Sequence, residues 1–231
     1  MPIRQKTPPP TVLVLVRHGV TPTTGKELPE AGPGPSLTGT GHEQAERAGE
    51  HVSAWRPSLP PLQAVYASPM RRAQETAAVV AAALHLEVTE AAGLADCDTG
   101  EWAGAKLADL SRKAEWPSVL HHPSGFRFPG GEALAGMQAR VVATVRALLE
   151  RHVGQTVVAV SHADPIKSVL ADAMGMHLDL FQRLVVGPAS VSAISYSPTG
   201  PTVMFANWLP PPPPPPPTPS ARTGRAARRT H

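Results

Sequence analysis

Thr11-Val12-Leu13-Val14-Leu15-Val16-Arg17-His18-Gly19 is the stretch whose reading decides the fold. Six residues rich in valine and leucine, too few for a helix, read as a strand buried on both faces over residues 11–16. An arginine, a histidine and a glycine follow at once, where such a strand meets the rim of its sheet. The pattern recurs twice. Residues 64–67 form a second apolar run, followed by Ser68-Pro69-Met70-Arg71-Arg72, and residues 156–160 form a third, followed by Ser161-His162-Ala163-Asp164.

Helical patterns separate these strands. In residues 38–55, Ala45, Ala48, Val52 and Trp55 fall at helical spacing. Ala73, Ala77, Val80 and Leu84 mark a second helix, and Met137, Val141, Val145 and Leu148 mark a long one over 133–152. A further helix is read over 165–174, with Asp164 as its N-cap and Pro165 in its first position. Residues 86–89 are a third strand, and 191–196 with 202–208 are late strands, read as a hairpin at a sheet edge. Strands alternating with helices imply an α/β fold: a single domain, with a mostly parallel central sheet covered by helices on both faces.

Residues 1–209 hold this domain. Residues 210–217 are eight prolines, followed by an arginine-bearing end. Proline lacks the backbone N–H and has a fixed φ, so residues 210–231 are expected to be a disordered polyproline and arginine-rich tail. It is a solvated appendage or a docking segment for a proline-reading or acidic partner. The formal charge is +3, but the tail carries Arg222, Arg225, Arg228 and Arg229 and no acid, which leaves 17 basic residues against 18 acidic in 1–209. The body therefore has no electrostatic footprint for nucleic acid. No apolar run reaches the roughly 20 residues of a membrane span. The single Cys97 excludes an internal disulfide framework, and a cytoplasmic protein is expected. Oligomeric state stays open.

Ligands of parallel α/β sheets bind beyond the carboxyl ends of the strands. Those ends deliver His18, His162 and up to three arginines to one rim. A neutral imidazole can attack phosphorus and split one displacement into two. Arginines bind phosphate oxygens bidentately and neutralise the transferred charge, and Gly19 is read as allowing close approach of a ligand. The kit is one for phosphoryl transfer without a metal or other cofactor. The adjacent His121 and His122 lack the spacing of a metal site and are read as loop residues. Cys97 is read as a packing residue.

The residues quoted so far resemble the motifs of the histidine phosphatase superfamily, whose fold is phosphoglycerate-mutase-like. Leu15-Val16-Arg17-His18-Gly19 is similar to the opening signature, and Ser68-Pro69-Met70-Arg71-Arg72-Ala73-Gln74-Glu75-Thr76-Ala77 to the second motif. Leu94-Ala95-Asp96-Cys97-Asp98-Thr99-Gly100-Glu101-Trp102-Ala103-Gly104 resembles the third, and Val160-Ser161-His162 the fourth. The resemblance spans roughly residues 12–208. It implies His18 as nucleophile, Asp96 as general acid, and Arg17, Arg72 and His162 around the phosphate. More narrowly, residues 161–167 and 187–191 resemble an actinobacterial branch of phosphomutase type.

Departures from the family are informative. The acid is commonly glutamate, one methylene longer than Asp96. Val20, Thr21 and Thr24 stand where the family often has glutamate, threonine and asparagine, so Thr24 is only a weak substrate-binding candidate. Ala163 occupies the place of the proton donor in the acid-phosphatase branch. Phe128-Pro129-Gly130-Gly131-Glu132 looks like the loop before the long helix, and Glu132 either reaches the site or stabilises the helix N-terminus by its charge. The expected activity is hydrolysis of a phosphomonoester of a small metabolite. Its rivals are a mutase of the phosphoglycerate type and an inactive phosphate-sensing or scaffold protein.

Overall fold

The computed structural model describes residues 9–29 and 32–209. The expected tail, 210–231, lies outside the described residues. Six strands form one sheet: β1 (Thr11–Arg17), β2 (Leu62–Ala67), β3 (Val88–Glu90), β4 (Thr156–Ser161), β5 (Val191–Ser197) and β6 (Gly200–Trp208). Their order is β3-β2-β4-β1-β5-β6. The first four are mutually parallel, while β5 pairs antiparallel with β1 and β6 with β5, as the hairpin at the edge.

Alternation along β1 and β4 explains why their runs are apolar throughout. Leu13, Leu15, Val157 and Ala159 enter one core, against α5 (Leu134–Arg151) and α6 (Ala163–Ala173). Val12, Val14, Val16, Val158 and Val160 enter the other, against α1 (Gly39–Trp55) and α2 (Arg71–Leu84). Both faces are thus removed from water, so branched apolar residues suit every position. The α2 face uses Ala73, Ala77, Val80 and Leu84, all buried. Alanine there lets α1 and α2 approach each other and the sheet closely.

Element boundaries follow local chemistry. Thr38 caps α1, its hydroxyl accepting from the Gly41 N–H at 3.0 Å. His85 ends α2 in the left-handed region, at φ 55°, and Leu86 donates back to the Ala81 carbonyl. That turn consumes Leu86, so β3 starts at Val88 rather than at residue 86. Two further expectations need correction. Asp164 is not the N-cap of α6: His162 holds that place, because the chain turns directly from β4 into the helix. Pro165 then sits in the third position, where a helix N–H has no intrahelical partner. His121 closes the short helix α4 (Trp116–His121) and is no loop residue. That helix and α3 (Leu107–Leu110) pack over the C-terminal edge of the sheet. No helix among the described residues is long and apolar enough to cross a membrane.

Candidate active site

Strand register brings the three motifs level. Arg17 of β1 pairs with Ser161 of β4, and Ala67 of β2 pairs with Val160 of β4. Beyond those pairs, the His18 N–H donates to the Ser161 carbonyl at 3.0 Å and the Ser68 N–H to the Val160 carbonyl at 3.0 Å. The His18 and His162 rings lie 5.2 Å apart between centroids.

His18 Nδ1 is 2.7 Å from the Gly19 carbonyl oxygen, which can only accept, so Nδ1 carries the proton. Nε2 is left with its lone pair and accepts from Arg72 Nε at 3.2 Å. Burial, followed by the neighbouring His162, Arg72 and Arg17, holds the His18 pKa well below its ordinary value. The ring stays neutral at physiological pH, as a nucleophile must.

His162 is fully buried. Its Nε2 lies 2.7 Å from the Ser68 hydroxyl, which itself accepts from the Met70 N–H at 3.3 Å. In the tautomer in which the Ser68 hydroxyl donates to Nε2, the imidazole proton falls on Nδ1, on the side of Asp96. Burial and the nearby arginines keep this ring neutral too.

Arg17 donates from Nη1 to the Val186 carbonyl at 2.6 Å, while its Nε has no partner. Arg72 Nη2 meets Asp96 Oδ2 at 2.9 Å, and its Nη1 is likewise unpartnered. Arg71 faces solvent, so two arginines rather than three line the site. Buried polar atoms without partners are rare in folded proteins. Among the described residues, four such side-chain atoms occur, and three are Arg17 Nε, Arg72 Nη1 and His162 Nδ1. All three belong to groups at these strand ends, and an anion with several acceptor oxygens would satisfy them together.

The family model for histidine phosphatase superfamily (branch 1) matches residues 13–209. The chain belongs to that superfamily.

As a histidine phosphatase it resembles several proteins across the whole domain. Phosphoserine phosphatase 1 of Hydrogenobacter thermophilus is 29% identical over 184 residues, 79% of this chain and 85% of that protein. Bifunctional protein Rv2228c of Mycobacterium tuberculosis is 31% identical over 195 residues, 83% of this chain but 52% of its own length. The chain thus spans about half of that mycobacterial relative, and the narrower likeness to an actinobacterial branch has little beyond it for support. Bacillus stearothermophilus YhfR superposes with a TM-score of 0.76 at 25% identity, covering 86% of this chain and 98% of that one. The chain is a histidine-dependent phosphatase.

Asp96 reaches two of the groups expected around the phosphate despite its shorter side chain, lying 3.5 Å from His162 Nδ1 as well as against Arg72. Two anchors hold its segment there. The Ser161 hydroxyl donates to the Leu94 carbonyl at 2.7 Å. Arg140 of α5 donates from Nη1 to the Gly93 and Ala95 carbonyls and from Nη2 to that of Asp96.

Glu132 has a further role beside the two expected. It grips Arg140 through both oxygens, at 2.7 and 3.0 Å, and so holds the arginine that holds residues 93–96. Thr24 lines the cleft, but its hydroxyl bonds the Thr21 N–H and hydroxyl, each at 2.9 Å. Its visible work is to close a turn. Packing by itself requires Gly19, since a Cβ there would land on the Gly41 carbonyl at the start of α1. Cys97 is buried, and burial followed by Glu132 and Asp96 raises its thiol pKa far above the ordinary value, consistent with packing. Sequence reasoning missed Arg140 and the hydroxyl roles of Ser68 and Ser161. The two serines stood inside quoted motifs, but nothing in the pattern of α5 distinguishes Arg140 from a surface arginine. No cluster of three or more candidate metal-ligating side chains occurs among the described residues.

Proposed function

We propose that this chain hydrolyses the phosphomonoester of a small metabolite through a phosphohistidine formed on His18. The observation that carries the assignment of residues is the set of three unpartnered buried donors beside a neutral, correctly protonated imidazole. In the first step His18 Nε2 attacks phosphorus, the ester P–O bond breaks, and Asp96 gives its proton to the departing alkoxide. In the second step water attacks the phosphohistidine, the P–N bond breaks, and Asp96 takes back a proton. Arg17, Arg72 and His162 bind the phosphoryl oxygens throughout, offsetting charge that a metal ion offsets elsewhere.

Hydrolysis is favoured over mutase chemistry, because the first loop presents Val20 and Thr24 where family mutases resemble one another in carrying glutamate and asparagine. The same proposal takes 1–209 as the catalytic domain and 210–231 as an appendage, since every proposed catalytic and phosphate-binding residue lies between Arg17 and His162. It places the enzyme in the cytoplasm, where a single buried thiol is at home.

The test is His18→Ala. Its expected outcome is loss of both turnover and acid-labile protein phosphorylation. Robust turnover by the purified variant would remove His18 from the mechanism.

A further inference from the structure

The phosphate chemistry uses only the floor of the cleft. Its cavity is about 300 Å³, and the wall above the strand ends comes from the first loop, from α3 and α4, and from the segment before α5. That wall presents Leu28, Leu107, Trp116, Val119, Leu120 and Phe128. Val119 and Phe128 are buried in the adjoining core, whereas Leu120 is 36% exposed and Trp116 is only partly covered. Large apolar side chains at the mouth of a site are available to take up apolar surface from a ligand.

Charge on this wall points the same way. Among the described residues lining the cleft, the cationic side chains are Arg17 and Arg72, and both are committed to the phosphate floor. The remaining charged groups are acidic: Asp96, Glu27 and Asp164. Asp164 is held by Lys167 at 3.4 Å, so a substrate carboxylate in the upper cleft would find no unpaired cation and would face Glu27 as a like charge, which discriminates against it.

We propose that the alcohol released from this site is apolar and uncharged, an aryl-bearing or longer alkyl group, and that phosphoesters carrying a carboxylate are poor substrates. This rests on the phosphatase reading above. It also sets the chain apart from the activity named for its Hydrogenobacter relative. The apolar wall contributes binding through burial of the alcohol, and Glu27 contributes selectivity by disfavouring anions.

The test compares kcat/KM for orthophosphate release from 2-phenylethyl phosphate, glycerol 1-phosphate and O-phosphoserine. All are primary alkyl esters, so leaving-group reactivity differs little among them. The phenylethyl ester is expected to lead by roughly 10- to 100-fold, the worth of burying one aromatic group. Leu120→Lys, at a position already exposed, should lower its kcat/KM and raise that of O-phosphoserine. Trp116→Ala should lower the first without raising the second. Equal or faster turnover of O-phosphoserine by the wild-type chain overturns the proposal and leaves the phosphatase reading standing. Failure to release orthophosphate from any of these esters and from p-nitrophenyl phosphate overturns the phosphatase reading itself.

Discussion

Asp96 shares Arg72 with the phosphate that the site is built to hold. Its Oδ2 lies 2.9 Å from the guanidinium, and Oδ1 accepts from the Cys97 N–H at 3.1 Å. In the proposed mechanism a phosphoryl group bound to Arg72 would replace Oδ2 as that donor's partner and free the carboxyl for the ester oxygen. Asp96→Asn is therefore expected to slow hydrolysis of alkyl phosphates by about 10²–10⁴, the worth of a placed proton donor. Aryl phosphates, whose leaving groups need less help, should suffer less. Asp164 is the competing acid. It lines the same cleft, and burial raises its carboxyl pKa against the opposing pull of Lys167, 3.4 Å away. A harmless Asp96→Asn beside a crippling Asp164→Asn, read from steady-state rates, would transfer the role to Asp164.

Between elements, one side chain ties the acid to the scaffold. Arg140 projects from α5 and bridges three carbonyls of residues 93–96, while Glu132 holds its far side. The segment has no strand pairing of its own at that point, so the placing of Asp96 depends on this clamp together with the Ser161 hydroxyl on the Leu94 carbonyl. Arg140→Met should lower kcat for alkyl phosphates on the order of 10-fold, because a small misplacement of a reacting group is costly. KM should change little, since Arg17, Arg72 and His162 are untouched. The decisive readout is a double-mutant cycle: in an Asp96→Asn background, Arg140→Met should cost almost nothing more in kcat. An unchanged penalty there would mean that Arg140 serves stability alone.

For the whole molecule, two neutral imidazoles buried at the sheet rim make stability depend on pH. His18 and His162 both titrate well below the ordinary histidine value in the folded chain, chiefly through burial. The unfolded chain takes up protons on both as pH falls through about 6.5, while the folded chain does not. The unfolded state then binds more protons, so stability falls on acidification, by up to about 1.4 kcal/mol per pH unit for each ring. His51, stacked on Trp208, acts in the same direction. Asp164, with its raised pKa, opposes them: its contribution is present at low pH and lost as pH rises through its folded value. The two rim histidines dominate, and the melting temperature should drop between pH 7.5 and 5.5. His18→Gln should make that drop shallower, and a pH-independent melting temperature would contradict the burial of neutral rings.

What the sequence determined by itself was local or periodic. The apolar runs at 11–16 and 156–160 admit no exposed face, so they read as central strands, and β1 and β4 lie at the middle of the sheet. The four-residue spacing from Ala73 onward admits only one buried stripe. Residues that follow such strands must meet at the sheet rim, which is why His18, Arg72 and His162 were legible before any coordinates. Only the tertiary structure decided relations between distant residues. The phase of α2 turns Arg72 inward and Arg71 outward. The approach of α1 to the first loop makes Gly19 a packing necessity. The packing of α5 beside residues 93–96 converts Glu132 and Arg140 into a clamp, and the folding of α3 and α4 over the rim makes an apolar wall. Propensity and period act over a turn or two of chain. A contact between residues 44 to 47 apart, like those Arg140 makes with Gly93, Ala95 and Asp96, exists only once two packed elements fix their separation and phase.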